Sequence, residues 1–190
     1  SWDLMMKNIY NLNASQIDKQ GFTMRIQYRD DLTGIDNPSL HEGARTKDQP
    51  LIRLLGLDQL NPNNDPAPDG NFDFVDGVTI DTRNGNIIFP VLEPFAGTLR
   101  KYFDPITEQN LINKYVYDTL YRTTKADAEQ VASKNKFFIV GRFMAGSASE
   151  IALPGINIAE NSVRVTAGNT PLTEGLDYTV DYNLGSVRLI

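Results

Sequence analysis

Several residue types that carry catalysis or covalent cross-links are scarce in this chain. None of its 190 residues is cysteine, which excludes a disulfide framework and thiol chemistry. Histidine occurs once, as His41, which excludes a metal site built from several imidazoles and leaves one candidate for a histidine-based triad. A lone histidine in a polar loop is most often a solvated side chain. We therefore expect a protein that is not an enzyme.

Long apolar runs and positive charge are also missing. Apolar runs are short, as at residues 137–140, whereas a membrane-spanning helix needs about 18 apolar residues or more. The sequence contains neither a phosphate-binding glycine motif nor the elbow motif that carries a nucleophilic serine. A net charge of −6 argues against a nucleic-acid partner. The hydrophobic fraction of 41% is ordinary for a globular chain with one large or two small domains.

A twelve-residue pattern occurs twice in this sequence, at residues 78–89 and at residues 178–189. Both copies read apolar-Thr-apolar-Asp, three variable residues, Gly, and then apolar residues at every second position. Alternation with a central glycine is typical of a β-hairpin, because Gly85 and Gly185 can adopt the positive φ that short turns need. Asp81 and Asp181 are placed to accept hydrogen bonds from the turn. We predict two structural hairpins.

Other segments predict a mixture of strands and short helices. Residues 22–28 alternate apolar and polar side chains, which predicts a half-buried strand. Asp104 and Pro105 are a favourable helix start, and an apolar stripe from Leu111 to Leu120 follows. Thr124 with Asp127 resembles a capping box for a second short helix over residues 125–133, with Ala128, Val131 and Ala132 facing inward. Tyr115, Tyr117 and Tyr121 are expected in or beside the core.

The predicted fold class is β-rich α+β. Residues 1–134 form a mixed region with two short helices and a long polar loop at 29–50. Residues 135–190 form a small all-β, sandwich-like region, because short apolar runs and turn residues alternate throughout. Whether the two hairpins share one sheet is left open.

The acidic loop, residues 61–73, has the most unusual composition. Three prolines forbid helix there, and residues 54–82 contain six aspartates and no lysine or arginine. Such carboxylates are screened by solvent or neutralised by a cation. Alternating oxygen ligands suggest Ca²⁺, although Pro66 stands where an EF-hand needs glycine, and metal-free Asx turns are common. The candidate calcium ligands are Asn61, Asn63, Asp65, Asp69 and Asp73.

Longer blocks of the sequence resemble a known family. They are WDLMMKNIYNL at residues 2–12, PDGNFDFVDGVTID at 68–81, NGNIIFPVLEPF at 84–95, KNKF at 134–137 and VDYNLGSV at 180–187. In this order they resemble the SprA/Sov family of Bacteroidetes over essentially the whole chain. Asn161 and Asn169 depart from the pattern, because we expect glycine at both positions.

The resemblance implies a place in the type IX secretion system. That family forms the outer-membrane translocon, a very large β-barrel tied to protein secretion and gliding motility. The chain is then expected to be an internal soluble insertion of the barrel protein, acting as a cap, plug or gate at the outer membrane or cell surface. Its partners would be the rest of the barrel, accessory plug and shuttle proteins, and exported proteins.

Two other functions stay open at this point. A calcium-stabilised surface adhesin or glycan-binding module is the main alternative, because of the acidic loop and the β-rich C-terminal region. A hydrolase that uses paired aspartates, such as Asp73 with Asp76, requires a cleft holding two carboxylates about 5–10 Å apart.

Overall fold

The computed structural model describes residues 4–145, 151–153 and 157–190. It confirms the mixed α+β class, with short helices and small antiparallel sheets. The helices are α1 (Leu51–Leu54), α2 (Gln109–Tyr115) and α3 (Lys125–Gln130), with a π-helical turn at Pro94–Thr98 and a 3₁₀ turn at Asp118–Tyr121. The strands are β1 (Ile9–Asn11), β2 (Thr23–Arg29), β3 (Asp36–Asn37), β4 (Ile80–Asp81), β5 (Asn86–Ile88), β6 (Phe137–Arg142), β7 (Ile151–Ala152), β8 (Thr166–Ala167), β9 (Thr170–Pro171), β10 (Tyr178–Asp181) and β11 (Ser186–Leu189).

The strands of the described residues form four small antiparallel sheets. Three have three strands, in the orders β1-β5-β4, β3-β2-β6 and β10-β11-β7, and the fourth pairs β8 with β9. The two predicted hairpins are confirmed as β4–β5 and β10–β11, and they lie in different sheets. Gly85 and Gly185 have φ of 64° and 70°, so both occupy the conformation that the turn requires.

Both hairpin turns are tied to an aspartate, as the sequence predicts. Asn84 donates its backbone N–H to Asp81 Oδ1 at 3.1 Å. Asp181 Oδ1 accepts the N–H groups of Asn183 and Leu184 at 3.0 and 2.8 Å. Of the two positions where we expected glycine, Asn161 has a φ of 63° and so adopts a glycine-like conformation.

The predicted strand at residues 22–28 is confirmed as β2, whose Met24, Ile26 and Tyr28 are buried. Its partner β6 lies more than 100 residues later, with Thr23 opposite Arg142 and Tyr28 opposite Phe137. Strand β6 therefore shares a sheet with β2 and β3 of residues 1–134, although it lies after the expected boundary at residue 134. The division itself and the sandwich arrangement of residues 135–190 stay predictions.

The core lies between the first two sheets and the short helices, and much of it is aromatic. Tyr10, Phe89 and Phe95 contact one another edge to face, with ring centroids 5.3–5.9 Å apart. Tyr115, Tyr117 and Tyr121 are buried, which confirms their expected place in the core. Aromatic rings bury much apolar surface each, so this cluster is a principal source of stability.

The prediction that a helix starts at Asp104 was wrong. The Asp104 side chain accepts the N–H groups of Ile106 and Thr107, at 2.7 and 3.3 Å, in an Asx turn. Glu108 accepts the Asp104 N–H at 2.8 Å and closes that turn. Because these side chains satisfy the backbone locally, regular helix begins only at Gln109.

The second helix is confirmed at its start and shorter at its end. Thr124 accepts the Asp127 N–H at 3.2 Å, as a capping residue should. The helix ends at Gln130 instead of Ser133, so only Ala128 of the three expected inward residues is fully buried. Val131 is half-buried and Ala132 is exposed, because both lie beyond the helix.

The first hairpin also differs from its predicted alternation. Val78 is exposed, whereas Thr79 is buried. The Thr79 hydroxyl accepts the Val75 N–H at 3.0 Å and donates to the Asp73 carbonyl, so it closes a turn before β4. Thr79, which the alternation placed on the polar face of the strand, is therefore a buried residue whose hydroxyl is hydrogen-bonded.

Candidate functional site

The acidic loop is anchored by an aspartate that lies just before it. Asp58 has no exposed surface and receives the N–H groups of Asp69 and Gly70 at 2.9 and 3.1 Å. Asp58 also forms a salt bridge with Arg53 on α1, whose Nε lies 3.2 Å from Asp58 Oδ2. Asp58 was not among the predicted site residues, although it is one of two charges in the apolar stretch 51–60.

Most of the predicted calcium ligands bond to backbone of the loop or of its base. Asp73 accepts the N–H groups of Gln59 and Leu60 across the base of the loop, at 2.6 and 3.2 Å. Asn61 Oδ1 accepts those of Asn63 and Asp65 at 2.9 and 3.0 Å, and Asp69 accepts that of Asn71 at 2.8 Å.

The loop therefore has a shape that its own hydrogen bonds maintain. Within the described residues, no three or more His, Cys, Asp or Glu side chains are grouped closely enough to hold a metal ion. The calcium site stays a prediction. What the geometry does establish is that Asp58, Asn61 and Asp73 fix the path of the loop.

The phenolic groups inside the core are poor acids. Burial raises the pKa of Tyr10 to about 12 and raises that of Tyr121 further. Their hydroxyl oxygens lie 3.1 Å apart, and Tyr121 Oη accepts the Phe95 N–H at 3.1 Å. Both phenols therefore remain protonated near neutral pH and serve as structural hydrogen-bonding groups.

The first repeat hairpin is part of a larger unit than the sequence pattern indicated. After β1, which pairs with β5, residues 12–17 cross the hairpin turn and bond to its carbonyl groups. We call this stretch the first wrap. Its bonds are Leu12 N–H to Gly85 O at 2.8 Å, Gln16 N–H to Arg83 O at 3.3 Å and Ile17 N–H to Thr82 O at 2.9 Å.

The second hairpin is held in the same way. Strand β7 pairs with β11, and the second wrap, described at residues 153, 157 and 158, bonds to the hairpin turn. Its bonds are Leu153 N–H to Gly185 O at 2.7 Å, Asn157 N–H to Asn183 O at 3.1 Å and Ile158 N–H to Tyr182 O at 2.7 Å.

The two wraps match in backbone conformation as well as in bonding. Gln16 and Asn157 occupy equivalent positions and have positive φ, 55° and 53°. The chain thus carries two strand–wrap–hairpin units, of which sequence reasoning found only the hairpins. The signal that could have revealed the rest is short: Leu, three variable residues, an amide side chain and Ile, at residues 12–17 and 153–158.

The long polar loop at residues 29–50 is anchored to α2 and to the turn before it. Glu42 accepts hydrogen bonds from Lys114 Nζ and from the Tyr115 hydroxyl, the latter at 2.6 Å. The pKa of Glu42 is lowered, first by the bond from Lys114 and then by that from Tyr115. Ala44 donates its N–H to Glu108 Oε1 at 2.8 Å. This loop is therefore an integral part of the fold.

A comparison of the sequence with models of protein families and with curated proteins finds no match. No helix of the described residues is both long and apolar enough to cross a membrane.

Proposed function

We propose that this chain is a non-catalytic contact segment of a type IX secretion translocon of the SprA/Sov kind. It acts as a cap, plug or gate beside the barrel wall at the outer membrane. Its work is done by surfaces that meet the barrel, accessory plug and shuttle proteins, or exported chains. The observation that carries this proposal is the resemblance of five sequence blocks, in order, over residues 2–190.

The C-terminal segment supports a contact role because several of its large apolar side chains are exposed. Phe89 in the first hairpin is fully buried, whereas the equivalent Leu189 is 39% exposed. Leu176, which precedes β10, and Leu184, in the turn between β10 and β11, are 72% and 70% exposed. Several exposed large apolar side chains in one short segment favour a surface that meets another protein.

The side chains that could do chemistry are mostly engaged in holding the fold. Asp58, Asp73 and Asp81 bond to backbone N–H groups nearby, and Glu42 bonds to Lys114 and Tyr115. His41 is an exposed residue of the long loop. These placements favour a role in assembly over a role in catalysis.

The proposal is tested by replacing this segment in the parent gene with a flexible Gly/Ser linker. We expect the barrel to reach the outer membrane and secretion of type IX cargo to fall, because the linker cannot supply the contacts. Surface labelling of the barrel is the control for its assembly. Normal secretion by the linker strain would refute the proposal.

A further inference from the structure

A cleft of about 830 Å³ is lined by residues of both β1 and β6. These strands belong to different sheets, and each is the outermost strand of its sheet within the described part of the chain. An outermost strand has one row of backbone N–H and C=O groups that its own sheet does not use. Two such rows border one cleft.

The hydrogen bonds between β1 and β5 show which backbone groups of β1 are not used within the sheet. Phe89 donates its N–H to Asn8 O and Leu12 donates to Gly85 O, both at 2.8 Å. Because bonding alternates along an antiparallel strand, the N–H and C=O groups of Ile9 and Asn11 point away from β5.

Strand β6 also has backbone groups that its own sheet does not use. Arg29 donates its N–H to Lys136 O at 2.9 Å, which makes Arg29 and Lys136 a bonded pair in the β2–β6 register. The backbone groups of Phe137 and Ile139 therefore point away from β2. Residues 137–140 are all apolar and none is fully buried, so this strand is incompletely covered.

The cleft is apolar with a slightly cationic rim. Its lining includes Tyr10, Phe95, Leu120 and Phe137. Its charged side chains are Lys7, Lys125, Lys134 and Glu129. Lys7 is neutralised by Glu93 outside the cleft, with Nζ and Oε1 2.7 Å apart, so one positive charge remains in excess although the whole chain carries −6.

We propose that the cleft binds an extended polypeptide strand that pairs with β1, β6 or both and carries acidic residues beside alternating apolar ones. The outward-pointing backbone groups of β1 and β6 favour a ligand in the extended conformation of a strand. The aromatic lining favours apolar side chains at every second position of that ligand. The excess positive charge of the cleft favours acidic residues in the ligand. This inference goes beyond the proposed role in export and does not depend on it.

The test measures binding of designed peptides to the 190-residue chain by fluorescence anisotropy. The probe is a fluorescein-labelled nonapeptide that alternates valine and threonine between terminal glutamates. Two further peptides carry N-methyl groups on the amides of one edge or of the other. We expect saturable binding, and a loss of about tenfold or more with at least one methylated peptide, because several backbone bonds are blocked.

Two pairs of variants locate the binding. Leu120→Glu should weaken the peptide about tenfold, whereas Ile106→Glu, at a residue that is 89% exposed outside the cleft, should not. Lys125→Glu should weaken the peptide with terminal glutamates and strengthen one with terminal lysines, whereas Lys47→Glu should change neither. The reversal by charge cannot come from loss of folding.

Three results would overturn the proposal. The first is no saturable binding by the folded chain, and the second is equal binding of both methylated peptides and the parent. The third is a concentration-dependent dimer in sedimentation velocity that Leu120→Glu dissociates, because the occupant would then be a second copy of the chain.

Discussion

Asp58 illustrates how a single side chain organises a loop that the sequence leaves ambiguous. The carboxylate is fully buried, and it bonds to two backbone N–H groups of the acidic loop and to Arg53. A buried carboxylate with these partners is costly to replace, because the N–H groups would lose their acceptor.

Replacing Asp58 with asparagine should therefore destabilise the chain by about 2–4 kcal/mol. The amide keeps the shape of the carboxylate but removes its charge and turns one acceptor into a donor. Urea denaturation measures the change. The matched control is Asp65→Asn in the same loop, at an exposed residue, which should cost less than about 0.5 kcal/mol. Equal midpoints for the two variants would contradict this account.

Gly85 has two separate reasons to be glycine. Its φ is 64°, and a Cβ at this position would lie 1.8 Å from the carbonyl oxygen of Ala14 in the first wrap. Gly168 has a similar φ of 62° but nothing within 4 Å of the position of a Cβ. The pair separates conformational strain from collision with the wrap.

Gly168→Ala should cost about 1 kcal/mol, from backbone strain alone. Gly85→Ala should cost at least about 2 kcal/mol more, because the wrap must also move. Thermal unfolding of both variants checks the difference. If the two substitutions had the same cost, the first wrap would not lie against the turn as described.

For single residues, the sequence predicts backbone conformation better than it predicts contacts with distant residues. The need for glycine at positions 85 and 185 follows from the turn pattern. The neighbours of Gly85 do not, because Ala14 lies about 70 residues earlier in the chain.

Among the elements, the bond from Glu42 to α2 fixes the long loop and makes stability depend on pH. The pKa of Glu42 is lowered by Lys114 and Tyr115. A lowered pKa in the folded state stabilises the fold above the ordinary glutamate value of about 4.3, and the effect is lost as pH falls through the folded pKa.

The Glu42→Gln variant should accordingly be less stable than the parent chain at pH 7, with the difference shrinking as pH falls below about 4. Urea midpoints measured from pH 7 to pH 3 provide the comparison. His41→Gln, a change at the adjacent exposed residue, is the control at pH 7. A difference between Glu42→Gln and the parent that grows towards low pH would show that the bond is misassigned.

The acidic loop is the element on which the calcium prediction can be decided. A specific ion present at about one hundred times its dissociation constant would add about 2.7 kcal/mol. If the hydrogen bonds of Asn61, Asp69 and Asp73 to backbone N–H groups are sufficient to hold the loop without an ion, thermal melts in calcium and in chelator should coincide. A higher melting temperature in calcium, abolished by Asp73→Asn, would instead favour the adhesin alternative.

Local patterns predicted the two hairpins and the cap of α3, since the decisive bonds there span a few residues. They predicted β2 from its alternation of apolar and polar side chains, although its partner β6 is distant. They failed at Asp104 and Thr79, where side chains compete with regular structure for backbone bonds. The competing bonds at both sites are themselves local, within six residues, and at Glu108 a bond from the distant Ala44 N–H adds to them.

For the whole molecule, pairing between distant segments lay outside what the sequence could reveal. Strand β2 gives a clear alternation, but nothing in it names β6 as its partner more than 100 residues later. The cleft between β1 and β6 depends on that pairing. The two wraps depend in the same way on bonds to hairpins that lie far from them in the sequence. Candidate surfaces of this kind emerge only from the assembled fold.

The central proposal is that the folded segment, through its contacts, is needed for type IX export. The most direct measurement is the secreted fraction of type IX cargo in cells whose full-length translocon carries Gly85→Val or Gly168→Val. We predict that Gly85→Val, which forces the first wrap from its hairpin, lowers secretion while the barrel still reaches the outer membrane, and that Gly168→Val secretes more than Gly85→Val. Equal, normal secretion by both strains would contradict the claim.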